Sequence, residues 1–162
     1  YAPWFKANIG ETSSLEVWKS IGFQGDLATI EEDYLNTIEL SDGFLDFILK
    51  VRPKYKLAII SNDSSQWSKY LREKFDIDKY FDVISISGDL KIKKPDEHIF
   101  LYTIERLGVN AEDCFYVDDR RSNLGAANRI GMKPILFNSR NVFYEGVMVN
   151  GFDELAKKVL AI

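Results

Sequence analysis

A single cysteine, Cys114, stands in 162 residues. One thiol makes neither a disulfide framework nor a cysteine metal cluster, so the expected setting is reducing and intracellular, the cytoplasm. No apolar run approaches the ~20 residues that a bilayer-spanning helix needs. Tyr1 to Gly10 lack both a basic leader and an apolar stretch of signal length. They also lack a methionine, and the chain is expected to start inside its gene. Positive charge is not in excess: the formal net charge is −4. Nonspecific nucleic-acid and anionic-membrane binding both want a basic face, so neither is an expected partner. Internal repeats and low-complexity segments are absent too.

What is present is ordinary for a globular domain: 46% hydrophobic and 28% charged residues. Eleven Phe, eight Tyr and three Trp suggest a well-filled core. The length fits one domain, or one domain with a small appendage. A chain of this size buries about two thirds of its unfolded surface and needs no covalent staples.

The pattern changes near Leu40. Before it, Thr12 to Ile21 and Leu27 to Leu40 read as two helices broken by Gly22-Phe23-Gln24-Gly25. Thr12 or Ser13 can cap the first, with Glu16 placed for a capping box. After it, short apolar runs alternate with helical patterns. Leu57 to Ile60 is apolar at every position, as in a buried parallel strand. Asp63 or Ser64 caps a helix to about Lys74, and Val83 to Ser87 is a second strand. Pro95 suits the first turn of a helix, where a missing N–H costs nothing. That helix carries Phe100, Ile104 and Leu107 on one face and stops at Gly108. Cys114 to Val117 is a third strand, Ser122 to Ile130 a helix stopped by Gly131, Ile135 to Phe137 a fourth strand, and Phe152 to Leu160 a closing helix. This alternation predicts an α/β fold, a Rossmann-like three-layer arrangement of a parallel sheet with helices on both faces. In such sheets ligands bind beyond the carboxyl ends of the strands.

Three strand ends carry chemistry. Ser61-Asn62-Asp63 offers a hydroxyl and free backbone N–H groups at a helix start, a phosphate cradle. An ordinary helix start accounts for the same residues. Lys94, fixed before Pro95, can hold its ammonium over an anion, although a solvated loop with Lys91 and Lys93 explains it equally. Lys133-Pro134 merely leads into a strand. The third strand ends in Asp118-Asp119. With 14 Asp in the chain, about one such pair arises by chance. Its position at the end of an apolar strand is what carries weight, because buried carboxylates need a counter-ion. Hard oxygen ligands there suit Mg²⁺, while Asp119 as a helix cap is the alternative. Together the three ends make a site for a phosphate with a metal.

The arrangement resembles the haloacid dehalogenase superfamily of aspartyl-phosphate hydrolases. Ile59-Ile60-Ser61-Asn62 is similar to its second motif and Lys94-Pro95 to its third. Phe115-Tyr116-Val117-Asp118-Asp119 with Asn123-Leu124-Gly125-Ala126-Ala127 is similar to its fourth. Spacing agrees as well, with 33 residues from Ser61 to Lys94 and 24 more to Asp118. The likeness spans roughly Leu40 to Asn138 and points to the subgroup of small sugar-phosphate phosphatases and the phosphatase domain of soluble epoxide hydrolase. It implies that residues 1–40 are the latter part of a helical cap and residues 41–162 the core. It further implies that Ser61 and Asn62 hold the phosphoryl group, Lys94 neutralises it and the nucleophile, and Asp119 with Asp118 binds Mg²⁺. The substrate would be a small phosphorylated metabolite.

The family's first motif, an Asp-x-Asp at the end of a strand, supplies the nucleophile and the general acid and base. No match occurs here. Asp76-Ile77-Asp78 follows no strand and reads as a turn. The leading expectation is a Mg²⁺-dependent phosphatase whose nucleophile lies ahead of Tyr1, the 162 residues alone being poorly folded and inactive. The alternatives are an inactive relative that binds a phosphorylated ligand or a protein, and a metal-independent dehalogenase, against which the Asp118-Asp119 pair speaks. Family topology places the first-motif strand between those of the second and fourth. Leu57–Ser61 and Cys114–Asp118 are therefore expected to be interior strands not paired with each other. His98 is expected at the surface or in packing, Trp4, Trp18 and Trp67 in the core, and Arg120-Arg121 in solvent.

Overall fold

The computed structural model of the protein describes residues 2–161. The order along the chain is α1 (Ala2–Ala7), α2 (Ser14–Ser20), α3 (Leu27–Asn36), α4 (Phe44–Val51), β1 (Ala58–Ser61), α5 (Ser65–Lys74), β2 (Val83–Ile86), α6 (Ser87–Leu90), α7 (Glu97–Leu107), β3 (Phe115–Asp118), α8 (Arg121–Arg129), β4 (Lys133–Phe137), β5 (Val147–Val149) and α9 (Phe152–Leu160). Every strand pairing is parallel, as the α/β reading requires. No described helix is long and apolar enough to cross a membrane.

The chain divides into two compact units. One holds Tyr1–Leu40 with Ala58–Lys94, the other Ser41–Leu57 with Pro95–Ile162. The strands divide the same way, β1 with β2 in one sheet and β3, β4 and β5 in the other. β1 and β3 thus belong to different ladders, as expected. Both are outer strands of their sheets among the described residues. The four residues of β1 are accordingly half-buried, since one ladder neighbour covers only one edge.

In the first unit, Ser13 caps α2 by accepting from the Glu16 N–H. Asp26 caps α3 through the Thr29 N–H, and Ser64 caps α5 through the Trp67 N–H. α3 ends at Asn36, four residues short of the expected Leu40. There the Lys74 ammonium, from the last turn of α5, takes the carbonyls of Leu35, Asn36 and Ile38 at 3.1, 2.9 and 2.7 Å. Buried Trp18, Leu35 and Trp67 form the core of this unit. Trp4 is the exception among the tryptophans: its ring lies 4.9 Å from that of Trp67, yet 40% of the residue is exposed. Glu31 ties α3 to α2 by accepting from Ser14 and the Trp18 indole.

The second unit packs α4 and α9 against its sheet, with Val51, Ile135, Val149, Leu155 and Val159 buried together. α7 begins later than Pro95: Asp96 is its N-cap, accepting from the His98 N–H, so Pro95 precedes the cap rather than filling the first turn. The cap carboxylate satisfies a helix-start N–H that proline, having no side-chain acceptor, cannot. α7 then buries Ile99, Phe100, Thr103 and Ile104 and stops at Gly108, whose φ of 64° is left-handed.

Candidate functional site

β1 delivers Ser61 at its carboxyl end, and the chain then turns through Asn62 and Asp63 into α5. This turn is fastened to the end of β2. The Asp63 N–H donates to the Ser87 hydroxyl at 3.0 Å, and the Asp63 carbonyl accepts the Gly88 N–H at 3.0 Å. Ser87 is fully buried. Gly88 has no room for a side chain, because a Cβ there would lie 2.6 Å from the Ser65 nitrogen and 2.9 Å from the Asp63 carbonyl oxygen. Only glycine lets the two loops approach so closely.

Asn62 reaches in another direction. Its Nδ2 donates to the Lys94 carbonyl and its Oδ1 accepts the Lys94 N–H, each at 2.8 Å. The structure therefore brings together two predicted residues, Asn62 and Lys94, through side chain and main chain. Both ends of the Asn62 carboxamide are thus engaged. Asp63 is the unforeseen titratable group of this cluster. Burial pushes its carboxyl up to about 6, opposed by the hydrogen bond from the Ser64 N–H.

In the second unit β3 ends at Asp118, whose carboxylate is held by several donors. Tyr116 Oη donates at 2.6 Å, the Arg120 N–H at 2.8 Å, and Asn123 Nδ2 to the two oxygens at 3.0 and 3.1 Å. Burial, and then the charge of Asp118, push the Tyr116 phenol far above its usual range, so it stays a protonated donor. Asp119 does not cap α8. Arg120 is the N-cap without a side-chain bond, and Asp119 pairs with Arg140 instead. Arg120 and Arg121 are exposed, as expected.

Among the described residues no group of three or more His, Cys, Asp or Glu gathers. Asp118 and Asp119 are the oxygen pair on which a metal would rely. Mg²⁺ is commonly held by one or two carboxylates with waters and phosphate oxygens, so this donor set fits it. The other residues take quieter places. Asp76 and Asp78 flank a turn after α5, paired with Lys79 and Arg72. His98 is an exposed partner of Asp96. Ser87, Gly88, Tyr116 and Arg140 were not foreseen. The first two follow β2 directly, the position where strand-end residues belong, but a close approach across the chain leaves no local trace.

The sequence profile described as Haloacid dehalogenase-like hydrolase matches residues 12–137. The chain is 31% identical over 84 residues to (S)-2-haloacid dehalogenase 4A of Burkholderia cepacia, covering 52% of this chain and 36% of that protein. It is 36% identical over 86 residues to a glyceraldehyde 3-phosphate phosphatase of Pyrococcus abyssi, covering 51% and 35%. The chain thus spans little more than a third of the length of these curated relatives. Among solved structures, a phosphatase of Thermococcus onnurineus superposes with a TM-score of 0.77 at 24% identity, over 98% of this chain and 78% of that one. An Asp12Ala mutant enzyme of Bacteroides thetaiotaomicron, bound to magnesium and inorganic phosphate, superposes with a TM-score of 0.76 at 20% identity, over 88% and 79%. These likenesses establish the Rossmann-like α/β fold of the core.

Proposed function

The chain belongs to the haloacid dehalogenase-like hydrolase family, and from that premise we propose that it is part of a Mg²⁺-dependent phosphatase of a small phosphorylated metabolite. The observation that carries this reading is the carboxylate pair at the end of β3. Asp118 is fixed by Tyr116, Asn123 and the Arg120 N–H, while Asp119 keeps a partly exposed carboxylate beside Arg140. The alternative, a metal-independent dehalogenase, would have no metal for such a pair to hold. The match to a glyceraldehyde 3-phosphate phosphatase supports the same choice, as does magnesium with phosphate in a protein of the same fold.

In this reading the Ser61 hydroxyl and the Asn62 backbone N–H donate to phosphoryl oxygens, and the Lys94 ammonium offsets their charge. Asp119, with Asp118 beside it, would hold Mg²⁺, which when bound supplies further neutralisation of the phosphoryl oxygens. The nucleophilic aspartate is placed on a segment ahead of Tyr1. Its carboxylate would attack phosphorus, the leaving oxygen would take a proton from the general acid of the same Asp-x-Asp motif, and water would then cleave the aspartyl phosphate. Residues 1–40 serve as the latter part of a cap and residues 41–162 as the core.

The test is release of phosphate from p-nitrophenyl phosphate, and of halide from a 2-haloacid, by the full-length protein with Mg²⁺. Phosphate release alone is expected. Lys94→Ala is expected to lower turnover at least about tenfold, since one fixed charge at a phosphoryl-transfer site commonly contributes that much. Halide release, or phosphate binding without turnover, overturns the proposal.

A further inference from the structure

Asn62 and Lys94 stand 32 residues apart, yet one carboxamide satisfies both main-chain polar groups of the lysine, the N–H through Oδ1 and the carbonyl through Nδ2. The geometry is that of one peptide unit pairing with another, and it uses both faces of the Asn62 side chain at once. Lys94 is further restricted by Pro95, which pushes the preceding residue into extended conformations. The turn that carries Asn62 is itself immobilised through Ser87 and Gly88. The backbone from which the Lys94 side chain springs is therefore braced against the end of β1 by a single side chain.

We propose that the Asn62 side chain is a positioning residue for Lys94: it holds the lysine backbone in register with the end of β1 and touches no substrate itself. The inference rests on the reading of Lys94 as the cation that neutralises the phosphoryl group. It separates two jobs within the Ser-Asn pair at the strand end. Ser61 and the backbone after it serve the ligand, and the carboxamide serves the lysine. Serine or aspartate cannot replace Asn62, since the position demands a donor and an acceptor on one planar group. Aspartate keeps the acceptor for the Lys94 N–H but sets a second oxygen against the Lys94 carbonyl.

Two measurements on the full-length protein decide it. Amide hydrogen exchange at Lys94, followed by NMR without any ligand, should speed at least tenfold in Asn62→Ala and much less in Asn62→Asp, which retains the acceptor. Unchanged protection in Asn62→Ala overturns the brace. Should Asn62→Ala fail to fold, Asn62→Ser, too short to pair with both main-chain groups of Lys94, takes its place in both measurements, with the same expected and overturning results. The second measurement is a double-mutant cycle on kcat/KM for p-nitrophenyl phosphate. Asn62→Ala should cost about tenfold in the parent and less than twofold once Lys94 is already alanine. Losses that multiply would mean that Asn62 meets the substrate on its own account, and the proposal fails while Lys94 keeps its role. If Lys94→Ala alone changes nothing, the reading of Lys94 falls instead, and the exchange result still judges the brace.

Discussion

Arg140 donates from Nε to Asp119 Oδ2, joining the segment after β4 to the end of β3 across 21 residues. The guanidinium thus occupies the carboxylate that the proposed metal needs. The two side chains are 53% and 34% exposed, so the pair is a weak competitor in water. Arg140→Gln is expected to tighten Mg²⁺ binding roughly two- to fivefold, measured by titration calorimetry on the full-length protein without substrate. Equal affinity in the variant and the parent would remove Asp119 from the metal site or Arg140 from competition for it.

Tyr116 is 6% exposed, with its ring edge-on to Phe100 at a centroid distance of 4.9 Å and its hydroxyl on Asp118. Tyr116→Phe keeps the ring contact and deletes one donor to a carboxylate that retains Asn123 and the Arg120 N–H. A hydrogen bond to a charged group is worth about 1.5–3 kcal/mol, and the remaining donors soften its loss. Urea denaturation should show a destabilisation of about 1–2 kcal/mol at neutral pH. No change would mean that Asp118 is held without the phenol.

Asp63 makes stability depend on pH in an unusual direction. Burial raises its carboxyl from 3.8 to about 6. Between those values the folded protein holds a proton that the unfolded chain has released, so this group's contribution to stability falls as pH rises from about 4 to 6. The whole effect is ~3 kcal/mol at most. Asp63→Asn keeps an acceptor for the Ser64 N–H and removes the charge. Its melting temperature should exceed the parent's at pH 7, with the gain vanishing near pH 4. A gain of equal size at both pH values would show that titration of Asp63 is not the cause.

Lys74 holds the end of α3 through three carbonyls. Lys74→Met retains most of the stem and removes the charged donor. The expected cost is about 1–2 kcal/mol, reduced from the value for buried charged hydrogen bonds because the ammonium sits near solvent. Hydrogen exchange should localise the loosening to the last turn of α3. A variant that loosens only α5 would show that the lysine serves its own helix.

Much of this was readable in advance wherever the cause lies within a few residues. The caps at Ser13 and Ser64, the stop at Gly108 and the placement of α9 are local events of hydrogen bonding and backbone conformation. So are the apolar runs that end at Ser61 and Asp118. α4 escaped because its N-cap is Gly43 in a left-handed conformation with no side-chain bond, so no start signal exists. β5 escaped because three residues, only one of them buried, make no period. Pro95 misled because Asp96 is the stronger cap.

Ser61, Asn62, Lys94, Asp118 and Asp119 were identified from the sequence by their places at strand ends. What each does with its atoms was decided by the tertiary structure. Asn62 was expected to help hold a phosphoryl group, with no role assigned to its carboxamide, which pairs with Lys94. Asp119, a possible helix cap by local pattern, pairs with Arg140. Gly88 is required by a backbone that approaches from Asp63 and Ser65. Each of these contacts joins positions more than twenty residues apart. A single side chain contributes too little to close such a loop by itself, so the contact forms only after parallel strands and their crossover helices have brought the two ends together.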